Sequence, residues 1–247
     1  MNIQLKYLVI FFTFLTPTFA VSNEDFKFNF APFALYEHAS DRITLSNVST
    51  RYGIGAAGLE IKANNELNDQ TNVFLRLGAG YHPSYSLNSF GTEFTGPVNG
   101  ILFEYGIELD TSPYIFRGSG IEIKTSNRKV FSDQLTGTRS GTNFTTSTDA
   151  RMVNNEIRLK QSFELNNENK LTIFMGINNW NLNATGTAYS SDFTAKKKVK
   201  GSNSDPVWGV NYSGTIFNRL FDFGFTHRTI SADNKVETYE IFGALDF

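Results

Sequence analysis

Residues 153–177 read VNNEIRLKQSFELNNENKLTIFMGI. Val153, Ile157, Leu159, Phe163 and Leu165 fall on one parity; Glu156, Arg158, Lys160, Ser162 and Glu164 fall on the other. A period of two is the signature of a strand with two unlike faces. Asn166 to Asn169 (NNEN) reads as a turn, and Leu171, Ile173, Met175 and Ile177 open the next strand. The polar face carries full charges of both signs at adjacent positions. A water-soluble barrel cannot turn that face inward, because desolvating each charge costs several kcal/mol. With the apolar face toward lipid and the charged face toward a polar interior, the segment becomes a transmembrane β-hairpin.

The same pattern extends in both directions. Strands are predicted near 26–38, 51–62, 71–82, 98–110, 114–124, 150–165, 171–182, 205–217, 221–226 and 235–247. A phase shift at Asn178-Asn179 would bring Trp180 and Leu182 onto the apolar face of the seventh. Long connections are predicted at 39–50, 84–97, 125–149 and 184–204, alternating with short ones at 63–70, 111–113, 166–169 and 218–219. Outer-membrane barrels place tight turns on the periplasmic side and long loops outside. Pooled over the strands, the inward face offers Arg76, Glu104, Glu108, Arg117, Glu122, Glu156, Arg158, Lys160, Asp222 and Glu240. The fold class is therefore all-β: a transmembrane antiparallel up-and-down β-barrel of about ten strands, with eight or twelve as the alternatives. Tyr81, Trp180 and Trp208 would mark the outer aromatic girdle. Tyr114, Phe163, Phe221 and Phe247 would mark the inner one.

Composition agrees. The chain has 247 residues, 40% hydrophobic and 19% charged, with 24 Phe. That mixture suits a lipid-facing band around a polar lumen. The net charge of −2 gives no electrostatic case for nucleic acid. Without cysteine there is no disulfide, thiolate metal site, Cys nucleophile or lipoprotein anchor. Lys6, the apolar run Leu8–Leu15 and Thr18-Phe19-Ala20 read as a signal peptide cleaved after Ala20. The domains are then 1–20, signal peptide, and 21–247, outer-membrane barrel.

At the end of the chain Tyr239, Ile241, Gly243, Leu245 and Phe247 alternate. This resembles the terminal-strand signal of bacterial outer-membrane proteins. The mature chain as a whole resembles the small OmpA-type, opacity-type and porin-like barrels, by pattern rather than by a family motif. The resemblance implies a place in the bacterial cell outer membrane. It also implies contact with outer-membrane lipids and lipopolysaccharide, and handling by periplasmic chaperones and the barrel-assembly machinery.

Signals for chemistry are sparse. His38, His82 and His227 are scattered, with no metal-ligand spacing, and no cofactor or metal is expected. His82-Pro83-Ser84 has the H-x-S spacing of an outer-membrane lipid A deacylase family, but the parity of Leu77, Ala79 and Tyr81 would turn the pair inward unless a bulge intervenes. No Asp-x-Asp supports omptin-type proteolysis. Lys196, Lys197, Lys198 and Lys200 form a basic run in a predicted outside loop, suited to anionic phosphates. The leading reading is non-enzymatic: a narrow porin-like channel, passing small solutes, or an envelope structural protein. Inward Gly78, Gly80, Gly106 and Gly224 would leave a conducting lumen if nothing fills them; charges paired across the lumen would plug it. The alternatives are a surface adhesion or interaction protein working through its loops, and a lipid A-modifying enzyme.

Overall fold

The computed structural model describes residues 26–46, 48–65, 71–89, 91–112, 115, 117–140, 142–166, 169–189, 194–216 and 219–245. The signal-peptide expectation, Tyr114 and Phe247 lie outside them. Ten strands run in chain order: β1 (Phe26–Leu45), β2 (Val48–Asn65), β3 (Thr71–Ser89), β4 (Thr92–Asp110), β5 (Ser119–Arg139), β6 (Thr142–Asn166), β7 (Asn169–Tyr189), β8 (Thr194–Ile216), β9 (Arg219–Ser231) and β10 (Lys235–Leu245). Each pairs antiparallel with its neighbours, and β1 closes on β10 with Glu37 opposite Glu240. Closure leaves no open edge in lipid, where unpaired backbone groups cannot be tolerated.

The strands are much longer than a bilayer needs. β6 has 25 residues and β8 has 23, against roughly 9–11 for a tilted transmembrane strand. The excess lies at one end. The outward positions of β7 are apolar at Ile173, Met175 and Ile177 and then switch to exposed Asn179, Asn181 and Asn183. On β8, Trp208 and Pro206 give way to Ser204, Ser202, Lys200, Lys198 and Lys196. Above that boundary the strands leave the apolar band and form a crown facing water.

Most of the predicted long loops are therefore strands. Residues 39–50, 84–97 and 125–149 lie largely in hairpins, and 184–189 pairs with 194–199. Ser46 (φ 51°), Gly91 (φ 71°) and Ser140 (φ 49°) take the left-handed conformation that short hairpin turns demand. Lys196, Lys197, Lys198 and Lys200 sit on β8 rather than in a loop. A second correction concerns Ile115 and Arg117, expected in a strand. Gly118 (φ 80°) belongs to the β4–β5 turn, and β5 starts only at Ser119. Asp110 caps this turn: hydrogen bonds from Ser112 to its carboxylate hold it below the usual range.

β9 and β10 stop short, with 13 and 11 residues, so the crown wall has a notch between β8 and β1. Turn residues fill its base. Asn234 donates to the Arg42 carbonyl (2.8 Å) and accepts from Thr44 N–H (2.8 Å), while Asp233 N–H donates to the Thr44 carbonyl (3.0 Å). These groups take the place of a neighbouring strand on the β1 edge, one way proteins manage exposed edges. Higher up, Leu45 reaches Gly201 across the notch, where a Cβ on Gly201 would lie 2.7 Å from a Leu45 methyl.

An ordered crown makes a proteolytic prediction. Trypsin at concentrations that digest the heat-denatured chain should leave the Lys196–Lys200 run of the folded barrel uncut, as read by intact mass. Rapid cleavage there would mean a mobile loop.

Candidate functional site: a charged lumen beneath an apolar chamber

The inward parity of the membrane section is charged, and the pairings cross from strand to strand. On one side Arg76 of β3 lies between Glu60 of β2 and Glu104 of β4 and hydrogen-bonds both. Lys124 of β5 donates to the second oxygen of Glu104 at 3.1 Å. Lys62 meets Glu60 at 3.1 Å and reaches over to Asp222 of β9. On the other side Glu122 accepts from Arg158 and Lys160, each at 3.1 Å, and Lys160 also bonds Glu108 at 2.6 Å. Arg158 Nε donates to Glu156 at 2.6 Å.

Three ties run across the lumen. Arg228 of β9 donates through Nε to Glu156 of β6 at 2.7 Å, and through a terminal nitrogen to Glu240 at 3.0 Å. Arg128 of β5 pairs with Glu37 of β1 and Glu240 of β10. The Lys62–Asp222 pair is the third. Arg228, Glu156, Glu60 and Glu104 are among the most deeply buried side chains of the described residues. Opposite charges at these distances can offset the cost of leaving water only when each is multiply bonded, and shared carboxylates supply that here.

The structure thus places Arg76, Glu104, Glu108, Glu122, Glu156, Arg158, Lys160, Asp222 and Glu240 in the lumen. Arg117 is different. It sits in the exposed β4–β5 turn and pairs with Glu164 at 2.6 Å, both side chains open to solvent. Its displacement follows from the turn running to Gly118. Glu37, Glu60, Lys62, Lys124, Arg128 and Arg228 join the network without having been singled out. Arg228 could have been found by extending the alternation Asp222, Gly224, Thr226 two residues further. Glu37 follows Pro32, a residue type that within strands usually marks an edge or bulge, yet β1 runs through that proline in unbroken register with β2.

Aromatic rings lie over two of the inward-parity glycines. A Cβ on Gly106 would fall 2.6 Å from the Phe74 ring, and one on Gly209 would fall 2.4 Å from Phe174. Rings lying over bare glycine backbone fill the space that the missing side chains vacate. Arg158 then stacks over Phe174 at 4.1 Å and Arg76 over Phe242 at 4.0 Å, covering the rings with charge.

Above the boundary the lumen changes character. Trp180, expected on the outer girdle, points inward and is 1% exposed. β7 pairs with β6 and β8 through Asn178 and Asn179 without a register shift, so the even positions stay inside. The indole N–H donates to Asp205 at 2.6 Å, and Asp205 also accepts from the Ser231 backbone N–H (2.8 Å) and hydroxyl (2.7 Å). Around Trp180 gather Ile43, Tyr85, Leu87, Phe94, Val98, Val130, Leu135, Met152, Ile230 and Val236. Burial pushes the Tyr85 phenol up; its oxygen accepts a hydrogen bond from Thr50.

His82 and Ser84 lie on β3 where its register with β4 shifts, between His82 and Tyr85. Their side chains are outside the described residues. Among the described residues no cluster of acidic or histidine groups could hold a metal. At the end of the chain Tyr239 and Ile241 are exposed on the outward parity of β10, with Gly243 and Leu245 in line. The outward face elsewhere carries Leu77, Tyr81, Ile101, Ile157, Leu159, Phe163 and Trp208.

No protein-family model matches the chain, and no curated protein sequence does. Solved structures do. The translocator domain of the autotransporter NalP from Neisseria meningitidis matches with a TM-score of 0.52 at 7% identity, covering 99% of this chain and 95% of that one. The outer membrane protease OmpT from Escherichia coli matches with a TM-score of 0.55 at 8% identity, covering 94% and 98%. At such identities the likeness speaks of fold alone. With the apolar outer band and the charged, closed lumen, it makes the chain an integral outer-membrane β-barrel.

The network predicts unequal costs. Arg228→Met leaves Glu156 with Arg158 alone and Glu240 with Arg128 alone, and should destabilise the barrel by about 3 kcal/mol, measured as a lower urea midpoint of the heat-modifiable band. Arg117→Ala, at an exposed pair, should change stability by less than about 1 kcal/mol.

Proposed function

We propose that the protein works as a closed barrel: an envelope structural protein that carries a tall β-walled crown outside the membrane, rather than a porin-like channel. The observation that supports this most is the set of ties across the lumen, Arg128 to Glu37 and Glu240, Arg228 to Glu156, and Lys62 to Asp222. A ten-stranded barrel is only slightly wider than the eight-stranded kind, whose side chains fill it. Here the side chains that fill it are bonded to one another, so a solute would have to break several buried ion pairs to pass. This is the OmpA-type version of the family resemblance, in which the barrel serves as a support. The lipid A deacylase alternative would need Ser84 to face lipid next to a base; unchanged lipid A acylation in cells carrying Ser84→Ala would dispose of it.

A second reading adds surface recognition to the structural role. Lys196, Lys198 and Lys200 alternate along the outward face of β8 and stand beside Thr187, Thr185 and Asn183 of β7. No acid faces them on that neighbour. At about 3.3 Å per residue along a tilted strand, Lys200 stands roughly 20 Å above Trp208. That height suits the phosphorylated sugars of lipopolysaccharide better than the lipid phosphates at the membrane surface.

Both readings are testable. In a planar bilayer the refolded wild-type barrel should insert without discrete conductance steps, and reproducible steps would sink the closed-barrel reading. On an immobilised polyanion, a variant with Lys196→Gln, Lys198→Gln and Lys200→Gln should elute at clearly lower salt than wild type. Identical elution would remove the recognition role.

A further inference from the structure

Above the charged section, the crown surrounds a partly open cavity of about 60 Å³. Tyr85, Leu87, Met152, Trp180, Leu182 and Ile230 supply much of its wall, and Arg128 borders it from below. A water molecule needs ~10–15 Å³ and two to four polar partners. The cavity has room for several, but little for them to bond. Most of the polar groups around it are engaged: Arg128 pairs with Glu37 and Glu240, the Trp180 indole N–H with Asp205, and the Tyr85 hydroxyl with Thr50, while Arg128 Nε has no hydrogen-bond partner. A chamber of this kind stays dry or accepts an apolar guest.

We propose that this chamber is a binding site for a small neutral apolar molecule, about one aromatic ring or a short alkyl chain in size, taken up from the extracellular side. Neutrality follows from the floor, since the one cation bordering the cavity is held by two carboxylates and has no charge to offer an anion. An aromatic guest gains most, because Trp180, Tyr85 and the Met152 thioether supply ring and sulfur surfaces. The way in is the notch. β9 and β10 reach only the lower part of the chamber wall, the β8–β9 ladder ending at Val207 opposite Arg228, and above it the Leu45 side chain rests on Gly201. A side chain can swing aside without breaking backbone pairing. Because the ion-pair plug lies beneath, the guest leaves as it came. That last point rests on the closed-barrel reading, whereas occupancy of the chamber does not.

The chain contains two tryptophans, one in the chamber and one on the outer face, which makes a direct test possible. In the refolded Trp208→Phe barrel, Trp180 is the sole indole reporter. Bromobenzene, a heavy-atom quencher, should quench its emission along a saturating curve. Ala150→Phe or Leu182→Phe in the same background should fill the cavity and weaken the apparent affinity at least tenfold; two variants guard against one failing to fold, which gel migration would reveal. A brominated detergent should quench Trp208 in the wild-type barrel but leave Trp180 untouched. Absence of quenching in the Trp208→Phe barrel, or a linear response indifferent to both filling substitutions, would overturn the proposal. Conductance steps would sink the closed-barrel reading and leave this titration to be judged alone.

Discussion

Every long strand of this barrel passes from one solvent into another, and much of the structure follows from that. Within the bilayer the outward positions must be apolar, and charge can survive only inside. Once the strand emerges, the outside faces water, and the ordinary hydrophobic effect takes over. The inward face can then become the apolar one. On β6 the inward series runs Lys160, Arg158, Glu156 and then Asn154 and Met152; on the outward side Leu159 and Ile157 give way to Asn155 and Arg151. The backbone continues through the boundary in unbroken register while both faces exchange polarity.

Two different cores result, stacked along one axis. The lower is held by shared carboxylates and guanidinium groups, arranged so that most charges meet more than one partner. Arg228, Glu156 and Glu240 form a chain, and Arg128 ties it to Glu37 on the opposite wall. Such a core is directional, so removing one member leaves its neighbours with fewer partners. The upper core, around Trp180, Tyr85 and Leu135, is held by area and fit. It tolerates a void, and a void is present. Where the two meet, the apolar chamber has below it a cation, Arg128, paired with two carboxylates.

The notch shows how a barrel can end unevenly without leaving sticky edges. Asn234 and Asp233 bond the β1 edge as a strand would, and Asp205 receives Ser231 from the β8 side. Above them the Leu45 side chain meets Gly201 across the gap. A wall made of backbone ladders on most sides and one side chain on another has a built-in weak place, and it lies beside the chamber.

The sequence alone determined the transmembrane architecture. Period-two alternation with both signs of charge on the polar face admits lipid outside and ion pairs inside, and no arrangement in water satisfies it. Hence the barrel, the even strand count and most of the lumen charges were legible, from Arg76 through Glu156 to Glu240. What the sequence did not disclose was the crown. Stretches such as 125–149 are rich in Ser, Thr and Gly because their outward faces meet water, and a strand wet on one side has a composition close to that of a loop. Inward Val130, Ser132 and Leu135 mark it as a strand only once the register is known, with the pairing shifted between Ser132 and Leu135. Trp180 makes the same point. Its side was decided by an unbroken ladder on both neighbours, and parity along a strand is a property of pairing, which one strand's residues cannot reveal. How the lumen charges pair also awaited the tertiary structure, since charges from β1, β5, β6, β9 and β10 meet only when the sheet closes.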